Sequence, residues 1–464
     1  MKPAINFLYL ILFWSLFQWA CTKSIKEDFI PEKEIAFDAS NTTIKPNIIL
    51  IVGDDVGYEI PTFSGGNSYS TPNLDFMAAN GISFTDYYTN PDGPPARLSL
   101  LTGKYNIRNW ERFLYIAPED KTFANLLENK GYQTCFVGKW QLDGGHESIT
   151  SHGFNKYLAF MPFNKEGNNG HDQFYHRYKN PYLYENQQWL PDSVVKGKYS
   201  EDMMYDYAVN FIDSNKDKPF LLMYSHSLCQ RPWSPPPSHP DFASWNPDID
   251  ENGNGNINYF PAMVNYMDYI IGKLIHKVNT TALSAPTLII FVSDNGTNPL
   301  ITSIYKGQTV TGGKGETSRK GINVPCIAYC KNYIKPGLPD TSLIDVTDFM
   351  PTFGQLANAK IPQSWGTMDG YTFMDNLNRK PIKERPWIYC YWPVSTYSTA
   401  NDVSYIFNKE YKKYDSTSGN YFFNISNKNP ELLENALKDE MLSPYEMNTK
   451  TYFDSILNSF GTLK

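Results

Sequence analysis

The chain has 464 residues, of which 41% are hydrophobic and 19% charged, and carries a formal net charge of −7. That length and apolar fraction support a large packed core and exclude a disordered chain. The acidic balance gives no basic face of the kind that nucleic acid requires.

Residues 1–21 have the form of an export signal: Lys2, an apolar run over 7–14, then Trp19-Ala20-Cys21. The last three are similar to a bacterial lipoprotein cleavage site, which implies an acyl chain on Cys21 and a membrane anchor. The apolar run is short for a span. Residues 22–44 are polar and read as a tether. The expectation is an exported protein, periplasmic or an outer-membrane lipoprotein. Five further cysteines, Cys135, Cys229, Cys326, Cys330 and Cys390, match no metal knuckle or disulfide frame and read as core residues.

Residues 46–52 form a continuous apolar run, as in a strand buried on both faces, and end in Gly53-Asp54-Asp55. Two adjacent carboxylates there call for water or a cation, and a solvated turn accounts for them equally well. Residues 72–82 read as a helix stopped by Gly81. Residues 87–105 carry a loop rich in Pro and Gly into Ala96-Arg97-Leu98-Ser99-Leu100-Leu101-Thr102-Gly103, a short apolar helix closed by glycine. A loop entering a helix N-terminus presents unpaired N–H groups and a positive dipole end, a ready anion site. Arg97 adds a guanidinium suited to an oxyanion. Prolines before a short helix are common, and loop and helix alone fit an ordinary turn better.

Residues 122–131 read as an amphipathic helix. The strand 133–137 delivers Gly138-Lys139-Trp140-Gln141, and the strand 219–224 is followed by Cys229-Gln230-Arg231-Pro232-Trp233. Asp248, Asp250, Asn252 and Gly253 match the first half of a calcium loop, but Tyr259 takes the closing position, so the stretch reads as a surface insertion. Met263, Met267, Ile270, Ile271, Leu274 and Val278 share one face of a core helix. Residues 286–292 are a second apolar run, ending in Ser293-Asp294-Asn295-Gly296. The carboxyl ends of parallel strands share one crevice. Asp54, Asp55, Asp294 and Asn295 are therefore expected to converge as oxygen ligands for a hard cation, Ca2+ ahead of Zn2+, with Mg2+ as the alternative. Gly312-Gly313-Lys314-Gly315 follows, then a helix over 349–356. Three strand-like runs over 387–391, 403–407 and 421–425 precede a helical tail. Alternation of helix and strand gives an α/β fold.

Taken together, these stretches resemble the sulfatase family. Its signature runs Cys or Ser, any residue, Pro, Ser, Arg, two spacers, Leu, Leu, Thr, Gly. Pro95, Arg97, Leu100, Leu101, Thr102 and Gly103 match it. Gly93 takes the position of the Cys or Ser that sulfatases convert to the formylglycine nucleophile, so no formylglycine can form there, and Ala96 replaces the usual Ser. The resemblance makes Asp54, Asp55, Asp294 and Asn295 the Ca2+ ligands and Lys139 and Lys314 the sulfate-facing lysines. Gln141 stands where many members carry His. Gln230 replaces a His that helps with the leaving group or the sulfate. Asn323 replaces an Arg. The resemblance spans roughly residues 45–440. It implies a large mixed, mostly parallel sheet sandwiched by helices over 45–385, and a small antiparallel sheet with a helix over 386–464.

The implied activity is sulfuric ester hydrolysis, with sulfated carbohydrate as the partner. The retained side chains, three carboxylates against Arg97, Lys139 and Lys314, suit an anionic ester once a divalent cation is added. The covalent machinery is missing. Thr89, Asp92 and Ser99 are the nearby substitutes for the nucleophile, with Ser99 expected to point away, and His226 and His239 the nearby histidines. Three readings stay open: a hydrolase working through metal-bound water, Asp92 or Thr89; a non-catalytic lipoprotein that binds sulfated glycans; or a structural lipoprotein with an inherited fold.

Overall fold

The computed structural model describes residues 45–145, 147–160, 176–250, 255–394, 402–426 and 431–461. The signal, the tether and Cys21 lie outside the described residues, as do Asn252 and Gly253 of the calcium-loop-like stretch.

A nine-stranded sheet carries the molecule. In chain order its strands are β1 (Asn47–Gly53), β2 (Ile82–Phe84), β3 (Gln133–Lys139), β4 (Lys156–Phe160), β5 (Leu183–Glu185), β6 (Gln188–Trp189), β7 (Phe220–Ser225), β8 (Thr287–Ser293) and β9 (Cys326–Tyr329). Their spatial order is β2-β9-β8-β1-β7-β3-β4-β5-β6. The strands from β8 to β4 run parallel, and the flanks are antiparallel. Both faces of the central strands are covered, which is why β1 and β8 are apolar without alternation.

Successive residues of β1 serve opposite faces. Ile48, Leu50 and Val52 pack with α2 (Gly93–Thr102), α3 (Phe123–Glu128) and α6 (Phe349–Leu356). Ile49 and Ile51 pack with α1 (Pro72–Ala79), α4 (Ser200–Ser214) and α5 (Phe260–Thr280). Helix α1 ends at Ala79 with Asn80 as its cap, two residues short of the expected Gly81 stop. All five described cysteines are free and buried. Past residue 385, strands β10 (Ile388–Trp392), β11 (Val403–Phe407), β12 (Tyr411–Tyr414) and β13 (Phe422–Asn424) form a four-stranded antiparallel sheet, followed by helix α7 (Pro444–Phe460). Among the described residues no helix is long and apolar enough to cross a membrane.

The register of the parallel strands sets up the site. Gly53 pairs with Ser293, Val52 with Ser225 and Gly138 with Ser225. Asp54, Asp294 and Lys139 thus leave the sheet together at its carboxyl edge.

Candidate active site

At that edge Asp55 turns into the left-handed region, φ 61°, which Asp tolerates better than most residues. The turn breaks the strand alternation that would send neighbouring side chains to opposite sides. One oxygen each from Asp54, Asp55 and Asp294 therefore lies within 4.8 Å of the others, and all three residues are buried. Asn295 donates from Nδ2 to Asp55 Oδ1 at 2.8 Å. Asp54 Oδ1, Asp55 Oδ2 and Asn295 Oδ1 are buried with no hydrogen-bond partner. Buried acceptors of this kind are costly unless something electropositive meets them. An all-oxygen set with orphaned lone pairs fits a hard divalent cation.

Three cations brace these carboxylates. Arg97 donates from Nε and Nη2 to Asp294 Oδ2 at 3.1 and 2.8 Å, and from Nη1 to the Lys139 carbonyl at 2.9 Å and to Ser225 Oγ. Lys139 Nζ reaches Asp54 Oδ2 at 2.5 Å and Gln230 Oε1 at 2.8 Å. Lys314 Nζ donates to Asp55 Oδ1 at 2.5 Å and lies 3.8 Å from Asp92 Oδ1. Burial works against the Asp54 carboxylate, but Lys139 and Arg97 outweigh it and hold its pKa below the usual range. Burial wins at Asp55, whose carboxyl is raised, and with Asp54 beside it pushes Asp294 up to about 6. Burial also lowers Lys139, to about 8, whereas at Lys314 the Asp55 charge overcomes burial and raises it.

Helix α2 brings Gly93 against this cluster. It begins at Gly93, three residues before the expected start, so Pro94 and Pro95 lie in its first turn. The anion site expected from unpaired N–H groups is not there. Asp92 Oδ1 accepts the Gly93 N–H at 2.8 Å, Pro94 and Pro95 have none, and the Ala96 N–H donates to the Asp92 carbonyl. Gly103 closes the helix in the left-handed conformation as expected. A Cβ on Gly93 would stand 2.9 Å from Asp294 Oδ2 and 3.4 Å from Asn295 Oδ1.

Beside the cluster opens a cleft of about 260 Å3, lined among others by Asp55, Asp92, Gly93, Gln141 and Lys314, and by Arg177, Gln230 and Arg231. Arg97 and Lys139, expected to face an anion, are buried, and neither is among the cleft-lining residues. Gln141 takes a left-handed turn, φ 55°, and its Oε1 is buried without a partner. Of the substitute nucleophiles only Asp92 lines the cleft. Thr89 Oγ1 donates to the Asp294 carbonyl at 2.9 Å, and Ser99 Oγ to Asn106 Oδ1 at 3.2 Å. His226 is a core residue, bonded through Nδ1 to buried Glu201 at 2.8 Å, and His239 caps a short turn at Asp241. Asp248 accepts from His176 at 2.9 Å in a partly exposed pair. Sequence reasoning missed Arg177. Nη1 of this residue reaches Gln230 Oε1 and the Arg231 carbonyl, each at 2.5 Å. A lone Arg in the polar run His176-Arg177-Tyr178-Lys179 carries no periodic or motif signal.

The family model described as "Sulfatase" matches residues 46–359. Human arylsulfatase A is 29% identical over 360 residues, covering 70% of this chain and 66% of the relative. An N-acetylglucosamine-6-O-sulfatase of Bacteroides thetaiotaomicron is 32% identical over 201 residues, covering 42% of this chain and 33% of the relative. The chain thus spans just under two thirds of the arylsulfatase. Among solved structures, Ps i-CgsB in complex with k-i-k-neocarrahexaose superposes with a TM-score of 0.71 at 25% identity, covering 90% of this chain and 94% of that one.

Proposed function

Because the chain belongs to the sulfatase family, we propose that its cleft holds the sulfate ester of a carbohydrate over a Ca2+ ion and does not turn it over by that family's covalent route. One observation carries this reading. The missing side chain of Gly93 points at Asp294 and Asn295, so the residue that the family resemblance aligns with the nucleophile abuts the acidic cluster and bears no reactive atom.

Asp54, Asp55, Asp294 and Asn295 would hold the cation, which when bound supplies a Lewis acid for the ester oxygens. Arg97 and Lys139 keep those carboxylates in place. Lys314, at the cleft wall, meets the anion. With the three carboxylates matched by three cations, a divalent ion leaves the site net positive. Support for a carbohydrate comes from the names of the relatives, a glucosamine sulfatase and a structure holding a carrahexaose. The orphaned oxygens weigh against a merely inherited fold, since no folding role explains them.

A second reading is hydrolysis through Asp92, favoured by its part-exposed carboxylate in the cleft, 3.8 Å from Lys314 Nζ. Sulfate release from an aryl sulfate and a panel of sulfated sugars, beside calorimetric binding of the same sugars, separates the two. Binding without release is expected. Release abolished by Asp92→Asn would establish the second reading, and neither binding nor release would leave an inherited fold. An acyl chain on Cys21 would tether the protein to a membrane. Cys21→Ala should then free it from the membrane fraction, and wild type that is free without detergent would remove the anchor.

A further inference from the structure

Gln230 stands where the family pattern has a histidine, yet its surroundings do not suit one. Its Oε1 accepts from Lys139 Nζ at 2.8 Å and from Arg177 Nη1 at 2.5 Å. Ammonium and guanidinium groups only donate, so the atom between them must be the carboxamide oxygen. That fixes the amide: Nε2, with two N–H donors, is turned away from both cations. It has no partner among the described residues, and Gln230 lines the cleft. A neutral imidazole has one lone pair and could accept from one of the two cations, and an imidazolium from neither.

Arg177 is fixed from several sides. It is only 2% exposed, its guanidinium lies 5.4 Å from the centre of the Phe160 ring, and Nη1 also reaches the Arg231 carbonyl. It lines the same cleft. A buried guanidinium held by an aromatic face, a carbonyl and a carboxamide is a preorganised charge.

We propose that Arg177 and Gln230 act as one anion-holding unit, in which Arg177 orients the carboxamide and Gln230 donates from Nε2 to an ester oxygen of the bound sulfate. The unit rests on the reading of the cleft as a sulfate-ester site and adds two residues to it. It makes glutamine a working choice at position 230, not a lost histidine.

The test is calorimetric binding of inorganic sulfate and of N-acetylglucosamine 6-sulfate to the full-length protein with Ca2+ present. Losing one hydrogen bond to a charged ligand lowers affinity about 10- to 100-fold. Gln230→Ala and Arg177→Met should each show that loss, and the double variant no more than about twofold beyond either, as expected for residues acting as a unit. Gln230→Glu keeps the shape and the oxygen between the cations but replaces the donor with an acceptor. It should lose the anion while retaining its melting temperature and Ca2+ affinity, which a purely structural role would not produce. Gln230→His should bind more weakly than wild type at pH 8. Wild-type binding with Gln230→Ala unchanged, additive single losses, or a histidine variant as tight as wild type would each overturn the unit alone. Wild type that holds neither anion would overturn the cleft reading and the unit with it.

Discussion

Asp294 Oδ2 lies 2.9 Å from the point where a Cβ on Gly93 would stand. Carbon and oxygen do not pack that closely, and this oxygen is not free to move aside, because Arg97 grips it through Nε and Nη2. The site is therefore closed around glycine. Overpacking of a tight interior costs about 1–3 kcal/mol. Gly93→Ala should lose stability in that range by urea denaturation and bind Ca2+ more weakly, because Asp294 must shift. For the same reason Gly93→Cys, with or without Ala96→Ser, should release little sulfate even in a host that makes formylglycine. A variant as stable as wild type and equal in Ca2+ affinity would show that Asp294 yields freely.

The acidic cluster gives a prediction with a definite sign. In the metal-free chain the Asp294 carboxyl is pushed up to about 6, by burial first and then by Asp54. A cation binds the carboxylate, so below that pH it must displace a proton. Ca2+ affinity should fall below about pH 6, tenfold per pH unit for the proton displaced from Asp294, and strengthen above about pH 8, where Lys139 beside Asp54 gives up its charge. Above pH 7, Ca2+ at 100 times its Kd should add about 2.7 kcal/mol to unfolding stability, reversed by chelation. Calorimetry at pH 5 and 7.5 reads this directly, and equal affinities would rule it out.

Much of this arrangement is legible in the sequence, for a physical reason. Strands buried on both faces are apolar throughout, so residues 46–52 and 286–292 declare themselves, and a carboxylate pair at the end of such a run stands out. Strand β12 does not. Its centre is Lys412-Lys413, which reads as solvated, yet both are buried, paired with Glu431 at 2.8 Å and Asp454 at 3.2 Å. Those partners lie 19 and 41 residues further on, beyond any local pattern. The part of Gln230 is hidden likewise, since it depends on Arg177, 53 residues earlier. The capped start of α2 is not legible in the sequence, because the side chain of Asp92, not the loop backbone, decides whether its N–H groups are free.

A buried ion pair joins the helix layer to the C-terminal sheet. Arg385 Nη2 contacts Asp348 Oδ1 at 2.5 Å, and Nη1 donates to Tyr105 Oη at 2.9 Å and to the Trp387 carbonyl at 3.2 Å, just before β10. Removing one member of such a pair leaves the other charge buried and unmatched, at a cost of about 3–5 kcal/mol. Arg385→Ala should show that loss in urea unfolding. Arg385→Ala with Asp348→Ala should be less destabilised than the sum of the single variants, because the orphaned carboxylate is gone. Additive losses would mean that the two side chains stabilise the fold separately.

Arg97 and Lys314 carry the same charge but should fail differently. Arg97 is buried and its guanidinium is committed to Asp294, the Lys139 carbonyl and Ser225. A lysine preserves the charge but not the planar fork that makes these bonds together. Arg97→Lys should therefore weaken Ca2+ binding by releasing Asp294, and lose anion affinity only as a consequence. Lys314 lines the cleft and meets the cluster through Asp55 alone, at 2.5 Å. Taking away that ammonium removes a like charge from beside the metal and frees a lone pair on Asp55, so Ca2+ affinity should hold or rise. The anion loses one of the cations that line the cleft, and sulfate affinity should fall about 10- to 100-fold. Calorimetry of Lys314→Met and Arg97→Lys, with Ca2+ and then with sulfate at saturating Ca2+, gives four affinities. The expected pattern is crossed: metal lost in Arg97→Lys and anion lost in Lys314→Met. Parallel losses of both ligands in both variants would mean that the two cations share one role, and that the division between a metal-bracing interior and an anion-facing wall is wrong.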